Sequence, residues 1–380
     1  MRNSYLPLAI LVLFSCSKAK EVEIIRTSEP DPQEPEPTEI VSTDNGVLRG
    51  LTSVELVADM GSGWNLGNTL DVEDEDETLW GNPLTTKEMI DAVNDRGFKT
   101  IRVPVTWRFH MGDAPNYTIE KEWLERVQEI VEYARGNDMY VIINIHHDDP
   151  WIIPTYEKAD EVKDRLAKVW TQIANHFKEY SDYLVFETLN EPRYENSPEE
   201  WTGGTAEGRD VVNQYHKACV DAIRATGGNN AMRHLMVSTY AASTGPTVLD
   251  ALVIPNDDPN IIISLHSYFP FEFCLGGTDT TWGTDADKNA LEFEFDKIVN
   301  KFVANGRAVI MGEWSSGNQN NTADRLAHAD FYSKECAKRG LMPIWWDVGY
   351  YGDNASGLMD RNTLEWPYGE IADAVINSRN

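Results

Sequence analysis

The sequence predicts a single (β/α)8 barrel, and three observations support that fold class. The 380 residues are 41% hydrophobic, which is enough for a large packed core and excludes a disordered chain. Eight short apolar or β-branched runs alternate with amphipathic helical stretches, as repeated βα units require. The runs are apolar throughout, as expected for a parallel sheet buried on both faces. A doubly wound open sheet is the alternative, but no G-x-G-x-x-G turn follows the first run.

The predicted elements follow one another along the chain in strict alternation. Strands are predicted at residues 64–66, 100–103, 140–144, 184–189, 235–238, 261–265, 308–311 and 342–345. Helices are predicted at residues 87–96, 120–135, 160–179, 209–225, 286–305, 323–339 and 370–377. Gly97, Gly227 and Gly306 follow three of these helices, because the left-handed conformation that ends a helix favours glycine.

The N-terminal 45 residues differ in composition from the rest of the chain. Residues 1–16 resemble a secretory signal, since the apolar run 6–14 is too short to span a membrane. Leu-Phe-Ser-Cys at 13–16 resembles a bacterial lipobox, in which Cys16 becomes the acylated N-terminus; a plain cleaved signal is the alternative. Residues 17–45 are acidic and Pro-rich, which predicts an extended tether. We therefore expect residues 46–380 to be exported and lipid-anchored at a bacterial outer membrane or cell surface.

Charge and aromatic content narrow the class of partner. A net charge of −29 argues against nucleic acid and anionic membrane surfaces, because like charges repel. The substrate is expected to be neutral or cationic, although an acidic surface also keeps an exported protein soluble. Twelve tryptophans and fifteen tyrosines fit either core packing or a cleft in which rings stack on sugars.

Three cysteines remain beyond Cys16, and their spacing does not indicate a metal site. Cys219, Cys274 and Cys336 lie far apart without a C-x-x-C pair. At most one disulfide could form among them, and a core of this size does not need it. We expect buried free thiols.

Polar residues follow most predicted strands, at the ends that a barrel brings to one rim. They are Asn65, Asn68, Arg102, His146, His147, Asp148, Asn190, Glu191, His266, Tyr268, Glu313, Trp346 and Asp347. Any one of them has a structural explanation, such as an ion pair for Arg102 or the core for His146. Their convergence on one rim favours an active site, because polar groups beside buried strands must be paired or functional.

Two of these residues, Glu191 and Glu313, suit the cleavage of a glycosidic bond. That chemistry needs one carboxylic acid to protonate the leaving oxygen and one carboxylate to attack the anomeric carbon. Glu191 is assigned as acid/base because Asn190 beside it can hydrogen-bond a sugar 2-hydroxyl, and Glu313 is then the nucleophile. We expect Arg102 to keep Glu313 ionised, Tyr268 to orient it, and the negative neighbour to keep Glu191 protonated.

Five motifs in order resemble glycoside hydrolase family five, and most closely its fourth subfamily. They are GWNLGNTLD at 63–71, IRVPVTW at 101–107, IHHD at 145–148, LNEPR at 189–193 and GEW at 312–314. The match runs from about Leu51 to the C-terminus. Asn-Glu-Pro alone is weak, but the set of five is specific.

The resemblance implies a retaining mechanism with Glu191 as acid/base and Glu313 as nucleophile. The residues that match positions around the catalytic centre are Arg102, His146, Asn190, His266 and Tyr268. The residues that match the sugar subsite on the non-reducing side are Asn65, His147 and Trp346, with Trp346 as its stacking platform. The resemblance implies no metal in the chemistry, and we expect no cofactor and a monomer.

The subfamily acts on cellulose, mixed-linkage β-glucan or xyloglucan, and some relatives in the wider family act on mannan. The expected activity is therefore an endo-β-1,4-glucanase on β-glucan polysaccharide, with xyloglucan, glucomannan or mannan as alternative substrates. One departure is Val348, where the subfamily pattern usually has asparagine, and it bears on fine specificity. Residues 72–80 and 272–287 follow predicted strands and are expected to form cleft walls.

Two other classes of function remain open. A surface glycan-binding lipoprotein could use the same barrel, although retaining two close carboxylates would cost it stability. A metal-dependent hydrolase could use His146, His147, Asp148 and Asp149 as ligands. Because neighbouring residues of an extended segment point to opposite sides, the two histidines would share an ion only where the strand end bends.

Overall fold

Eight parallel strands close into a barrel in the computed structural model, which describes residues 42–378. The strands are β1 (Gly63–Leu66), β2 (Thr100–Val103), β3 (Tyr140–Asn144), β4 (Leu184–Glu187), β5 (Leu235–Ser238), β6 (Ile261–His266), β7 (Val309–Trp314) and β8 (Leu341–Asp347). Each strand pairs with the next, and β8 pairs with β1. The predicted (β/α)8 barrel is confirmed, and the open-sheet alternative is wrong.

Helices cover the outside of the barrel. They are α1 (Ser53–Met60), α2 (Lys87–Arg96), α3 (Lys121–Arg135), α4 (Ala159–His176), α5 (Ala206–Ala225), α6 (Pro246–Ala251), α7 (Phe271–Cys274), α8 (Asp285–Lys301), α9 (Thr322–Lys338) and α10 (Gly369–Asn377). The seven predicted helices are all present, whereas α1, α6 and α7 were not predicted because they are too short for a clear period. Among the described residues, no helix has the length and apolar character needed to cross a membrane.

The helix ends follow from local sequence. Thr86 begins α2 by accepting a hydrogen bond from the backbone of Met89, and Gly97 ends it in the left-handed region with φ 115°. Thr52 and Thr284 begin α1 and α8 with reciprocal capping boxes. These caps satisfy backbone groups that the first turn of a helix leaves without partners.

Alternate strand residues fill the lower half of the barrel, at the N-terminal ends of the strands. This apolar cluster also includes one face of α1, whose last residue Met60 accepts a hydrogen bond of 2.7 Å from Thr100 at the start of β2. Its members are Leu56, Val57, Met60, Tyr140, Ile142, Val185, Met236, Ile262, Ala308, Ile310, Met342 and Ile344. Helix α1 therefore closes the end of the barrel opposite the predicted active-site rim.

The first described residues already contact this N-terminal face. Asp44 accepts hydrogen bonds of 2.7 Å from Arg135 at the end of α3 and from the backbone and hydroxyl of Ser181 just before β4. The predicted boundary between residues 45 and 46 stays a prediction.

The cysteine predictions have two outcomes. Cys219, Cys274 and Cys336 are buried free thiols, as expected. Cys16, the predicted signal and the predicted tether as far as residue 41 lie outside the described residues.

Candidate active site

The upper half of the barrel interior is lined with polar side chains. Because strand residues alternate between two faces, inward positions recur two residues apart. Asn144, Glu187 and Ser264 each lie two residues after an interior apolar residue of their strand, and Asn65 and Arg102 lie at comparable positions on β1 and β2. All five are fully buried. The period of the strands thus places a ring of polar groups beneath the rim.

A β-bulge turns Glu313 toward this ring. Strands β6 and β7 pair in regular register until their last residues, where His266 pairs with Glu313 instead of Gly312. Residue 312 must be a glycine, because a Cβ atom there would lie 2.9 Å from Ser264 Oγ and 3.2 Å from His266 Nε2. The bulge therefore gives Glu313 the inward direction that regular alternation would give to Gly312.

Arg102 connects the groups of this ring through four hydrogen bonds and one further ion-pair contact. Its Nε and one Nη contact Glu187 Oε2 at 2.8 and 2.7 Å. The other Nη donates to Asn65 Oδ1 and Glu313 Oε1, both at 2.9 Å. The Nη that contacts Glu187 also donates a hydrogen bond of 2.7 Å to Asn190 Oδ1. Arg102 thus fixes one carboxylate and one amide of the predicted catalytic centre.

The two predicted catalytic glutamates face each other across His266. Oxygen atoms of Glu191 and Glu313 and a ring nitrogen of His266 all lie within 4.8 Å of one another. His266 Nδ1 lies 2.7 Å from Glu191 Oε1 and 3.6 Å from Glu313 Oε2. Tyr268 donates a hydrogen bond of 2.9 Å to Glu313 Oε2, as the sequence suggested. The carboxyl groups are thus held at a fixed and short separation.

These three groups determine one another's protonation. Burial opposes a charge on His266, but Glu313 and Glu191 raise its pKa. Burial alone would raise the pKa of Glu191, but the hydrogen bond and charge of His266 lower it. Burial raises the pKa of Glu313, against the opposing effects of His266 and Arg102. The sequence named only the negative neighbour as the influence on Glu191, whereas His266 is its closest partner and lowers its pKa.

His146 and His147 lie next to each other on the same side of the cleft. Their rings meet edge to face at 4.4 Å between centroids, and the His146 ring is parallel to Trp346 at 5.7 Å. Both follow the end of β3, where the backbone bends, which is the condition under which the sequence allowed the two side chains to lie on the same side. Their nitrogen atoms and a carboxylate oxygen of Asp71 lie within 4.8 Å of one another.

The four residues suggested as metal ligands do not form one group. Asp148 is buried and accepts hydrogen bonds of 2.9 Å from the backbone of Trp107 and the indole of Trp151. Asp149 pairs with Arg193 at 3.3 Å and lies 3.9 Å from His147 Nδ1, but it is not part of the group that His146 and His147 form with Asp71. A carboxylate oxygen of Asp71 lies within 4.8 Å of both histidines, but its two oxygens already accept the backbone N–H groups of residues 68 and 69.

A cleft of about 770 Å³ opens above the ring. Eight predicted site residues line it: His146, His147, Asn190, Glu191, His266, Tyr268, Glu313 and Trp346. Asn65 and Arg102 are instead fully buried and act on the cleft through Glu313 and Asn190. Their predicted contact with substrate stays a prediction.

Sequence reasoning missed several residues of the site. Trp201, on the loop between β4 and α5, lines the cleft with its side chain 61% exposed. Leu275 and Cys274 come from the predicted wall at 272–287, but Trp282 is buried against His328 instead. Glu187 was also missed, although a carboxylate inside a strand predicted to be buried on both faces was a usable signal.

Comparisons with known proteins agree with this geometry. The family model for cellulase, glycosyl hydrolase family 5, matches residues 63–352. Endoglucanase B of Clostridium cellulovorans is 50% identical over 344 residues, which cover 89% of this chain and 78% of that protein. The structure of ZgEngAGH5_4 in complex with a cellotriose is 62% identical with a TM-score of 0.86, and the match covers 87% of this chain and 99% of that one.

A GH5-4 broad specificity endoglucanase from Clostridium acetobutylicum is 50% identical with a TM-score of 0.85, over 86% of this chain and 100% of that chain. The similarity therefore extends over the whole barrel and includes both strand ends that carry the paired glutamates. The chain belongs to the cellulase family, glycosyl hydrolase family 5.

Proposed function

We propose that this protein is a retaining endo-β-1,4-glucanase of the fourth subfamily, with Glu191 as acid/base and Glu313 as nucleophile. The observation that carries the proposal is the separation of the carboxylate oxygens of these residues, which lie within 4.8 Å of each other. Retaining glycosidases hold the two carboxyl groups about 5 Å apart, whereas inverting enzymes leave about 6.5–9.5 Å for a water molecule. The endoglucanase relatives support the substrate class.

In the first step Glu313 attacks the anomeric carbon while Glu191 protonates the leaving oxygen. Arg102 and Tyr268 each hold one oxygen of Glu313, so the attacking group is oriented before the glucan binds. The proton reaches Glu191 along its 2.7 Å hydrogen bond with His266, whose pKa is raised by both carboxylates. A glucan chain that excludes water from the cleft removes the solvation of the Glu191 anion and favours this transfer.

Arg102 also prepares Asn190 for the substrate. Because Arg102 holds the amide oxygen of Asn190, the amide nitrogen is the group available to a sugar hydroxyl. Trp346, with His146 parallel to it, offers an aromatic face to a sugar ring on one side of the glutamates. Trp201 offers a second exposed ring along the same cleft.

Two variants and two substrates test the assignment of roles. Glu313→Ala should lower kcat by at least about 10³-fold on both mixed-linkage β-glucan and a dinitrophenyl β-cellobioside. Glu191→Ala should be as impaired on the polysaccharide, yet show a rapid first burst of dinitrophenol, because that leaving group needs no proton. Steady-state release should then be slow, because the second step lacks its general base. Persistent polysaccharide hydrolysis by Glu313→Ala would overturn the proposal. Inactivity of the wild type on both substrates would instead favour the glycan-binding hypothesis.

The preferred glucan is best found by comparing substrates. Reducing-end release by residues 42–380 should be measured on carboxymethyl-cellulose, lichenan, xyloglucan, glucomannan and mannan. We expect the unbranched β-1,4-containing glucans to be cleaved fastest. A clear preference for xyloglucan would instead indicate a cleft that accepts side-chain sugars, and preference for mannan would contradict the proposed substrate class.

We also propose that the protein is exported and held on a bacterial membrane or cell surface through acylated Cys16, and that it acts as a monomer. The support is the signal-like segment 1–16 with its lipobox and the acidic, Pro-rich segment after it. Wild type should partition into detergent and carry fatty acid label, while Cys16→Ser should lose both. Soluble wild-type protein without label would contradict the anchor, and size-exclusion chromatography tests the monomer.

A further inference from the structure

Glu187 is a third carboxylate of the active-site floor, and it never touches the cleft surface. It is the last residue of β4 and is fully buried. Oε2 accepts hydrogen bonds from Arg102 and from Asn144, both at 2.8 Å, and Oε1 accepts one of 2.6 Å from Ser264. A carboxylate this deeply buried is held by charge-assisted bonds on both oxygens.

Arg102 therefore lies between two carboxylates, of which one reacts in the proposed mechanism and the other does not. On one edge it contacts Glu187, and on another it contacts Glu313 at 2.9 Å. In the proposed reaction the bond between the anomeric carbon and the leaving oxygen breaks, a bond from Glu313 to that carbon forms, and the proton of Glu191 goes to the leaving oxygen. Glu313 thereby changes from an anion to a neutral ester, while Glu191 becomes the anion.

The second step restores these charges. Water attacks the anomeric carbon, its proton goes to Glu191, and the ester bond breaks to return the Glu313 carboxylate. Throughout the ester state Arg102 would be a buried cation without a contacting anion if Glu187 were neutral, which is strongly unfavourable. Of the two carboxylates that contact Arg102, only Glu187 stays an anion in every state of the cycle.

We propose that Glu187 is a positioning residue that supplies the permanent counter-charge of Arg102, so that Arg102 holds Glu313 both as a free carboxylate and as a glycosyl ester. This inference rests on the proposed function. It also means that part of the positive charge of Arg102 is neutralised by Glu187, which keeps Glu313 a stronger nucleophile than it would be beside an uncompensated arginine.

The experiment is the pH dependence of kcat/KM for Glu187→Gln on mixed-linkage β-glucan. Glutamine keeps the shape and an acceptor oxygen for Arg102 but removes the charge. Loss of a negative charge near Glu313 lowers the pKa at which the carboxyl pair ionises, so the acid limb should move about one pH unit lower. The plateau of kcat/KM should fall about 10- to 100-fold, because the nucleophile is less basic.

Two further variants separate charge from position and from stability. Glu187→Asp keeps the charge but shortens the side chain by one methylene. Its activity should therefore fall, while the acid limb of its pH profile stays where it is in the wild type. Asp182→Asn is the matched control at the opposite end of the barrel, where Asp182 is buried and accepts a 3.0 Å bond from Arg49. It should lower the unfolding temperature and leave the acid limb in place.

An unchanged acid limb in folded Glu187→Gln would overturn the inference, and so would an equal shift in Glu187→Asp. If the glutamine variant fails to fold, a folded aspartate variant with the wild-type acid limb still supports a requirement for charge. If neither variant folds, the inference is overturned, because Glu187 would then be required for folding and not for charge compensation during turnover. Activity in Glu313→Ala would refute the proposed function instead.

Discussion

Two fully buried arginines, Arg102 beneath the upper rim and Arg233 at the lower face, use the same guanidinium group in opposite ways. Arg102 contacts two carboxylates and two amide oxygens. Arg233 donates to five neutral acceptors, namely the side chain of Asn230 and the backbone carbonyls of Phe177, Tyr180, Ser181 and Leu184. Arg102 thus lies among charged groups of the candidate active site, whereas Arg233 hydrogen-bonds backbone carbonyls between the end of α4 and the start of β4.

The pKa of each arginine shifts in the direction that its neighbours dictate. Burial disfavours both cations, but Glu187 and Glu313 raise the pKa of Arg102. The pKa of Arg233 is lowered, because burial outweighs the more distant Asp44. The comparison teaches that a buried arginine needs hydrogen-bond acceptors but not anions, so the two carboxylates around Arg102 require a further explanation that the acceptors around Arg233 do not.

The largest expected effect comes from Arg102→Lys. A lysine ammonium cannot reproduce the planar fork that reaches Glu187, Glu313 and Asn190 together, so kcat/KM should fall by about 10²- to 10³-fold. Steady-state kinetics on lichenan measure the loss, and circular dichroism verifies the fold. A kcat/KM within threefold of the wild type would show that Arg102 has no functional role of the kind proposed.

Arg233→Lys should act on stability rather than on turnover. Lysine has three donors, so at least two buried carbonyls lose their partner, and the free energy of unfolding should fall by about 3 kcal/mol. Urea titration measures this change, while kcat of the folded protein should stay within twofold of wild type. A large loss of kcat in a fully folded Arg233→Lys variant would show that the lower face of the barrel also affects turnover in the cleft.

Asp44→Asn should destabilise the barrel by a smaller amount, with a pH dependence. Burial alone would raise the pKa of Asp44, but the hydrogen bonds from Ser181 and Arg135 lower it. A lowered pKa stabilises the folded state above the unfolded value of about 4, and the gain is lost as pH falls toward the folded value. We expect a loss of about 2 kcal/mol at pH 7 that shrinks below pH 4 in thermal unfolding. A difference independent of pH would exclude the ion pair as its cause.

The smallest effect is expected for Val348→Asn. Val348 lines the cleft, and its carbonyl accepts a 3.0 Å hydrogen bond from Asn82, which fixes the backbone there. An asparagine side chain could add one hydrogen bond to a sugar hydroxyl, so KM should fall by about two- to fivefold with kcat unchanged. If the wild type and Val348→Asn have the same KM on lichenan, and also the same KM on carboxymethyl-cellulose, residue 348 does not contact the substrate.

The barrel was predictable because its strands are short, apolar and separated by helical periods. The same reasoning placed Glu191 and Glu313 at strand ends, and the structure brings them together. The bulge that turns Glu313 inward was not predictable, since it depends on the contact of Gly312 with Ser264 and His266 rather than on a local pattern. Fold class follows from periodicity, whereas the direction of single side chains follows from tertiary contacts.

The protonation of the glutamates shows the same limit. The sequence places two carboxylates near each other, which alone would raise the pKa of one of them. It cannot say that His266 approaches Glu191 at 2.7 Å and Glu313 only at 3.6 Å, a difference set by the end of β6. The role of Glu187 was hidden for a related reason, because its position in a strand was treated as part of an apolar run.

The ties between Asp44 and the lower face have a practical consequence for attaching this protein to other materials. Because Arg135 and Ser181 hold the start of the described chain at the strand ends opposite the cleft, anything fused before residue 42 leaves from the back of the barrel. A bead, a second enzyme or a scaffold joined at that end would leave the cleft facing outward. An N-terminal linkage is therefore the orientation of choice for immobilising the barrel on a solid support.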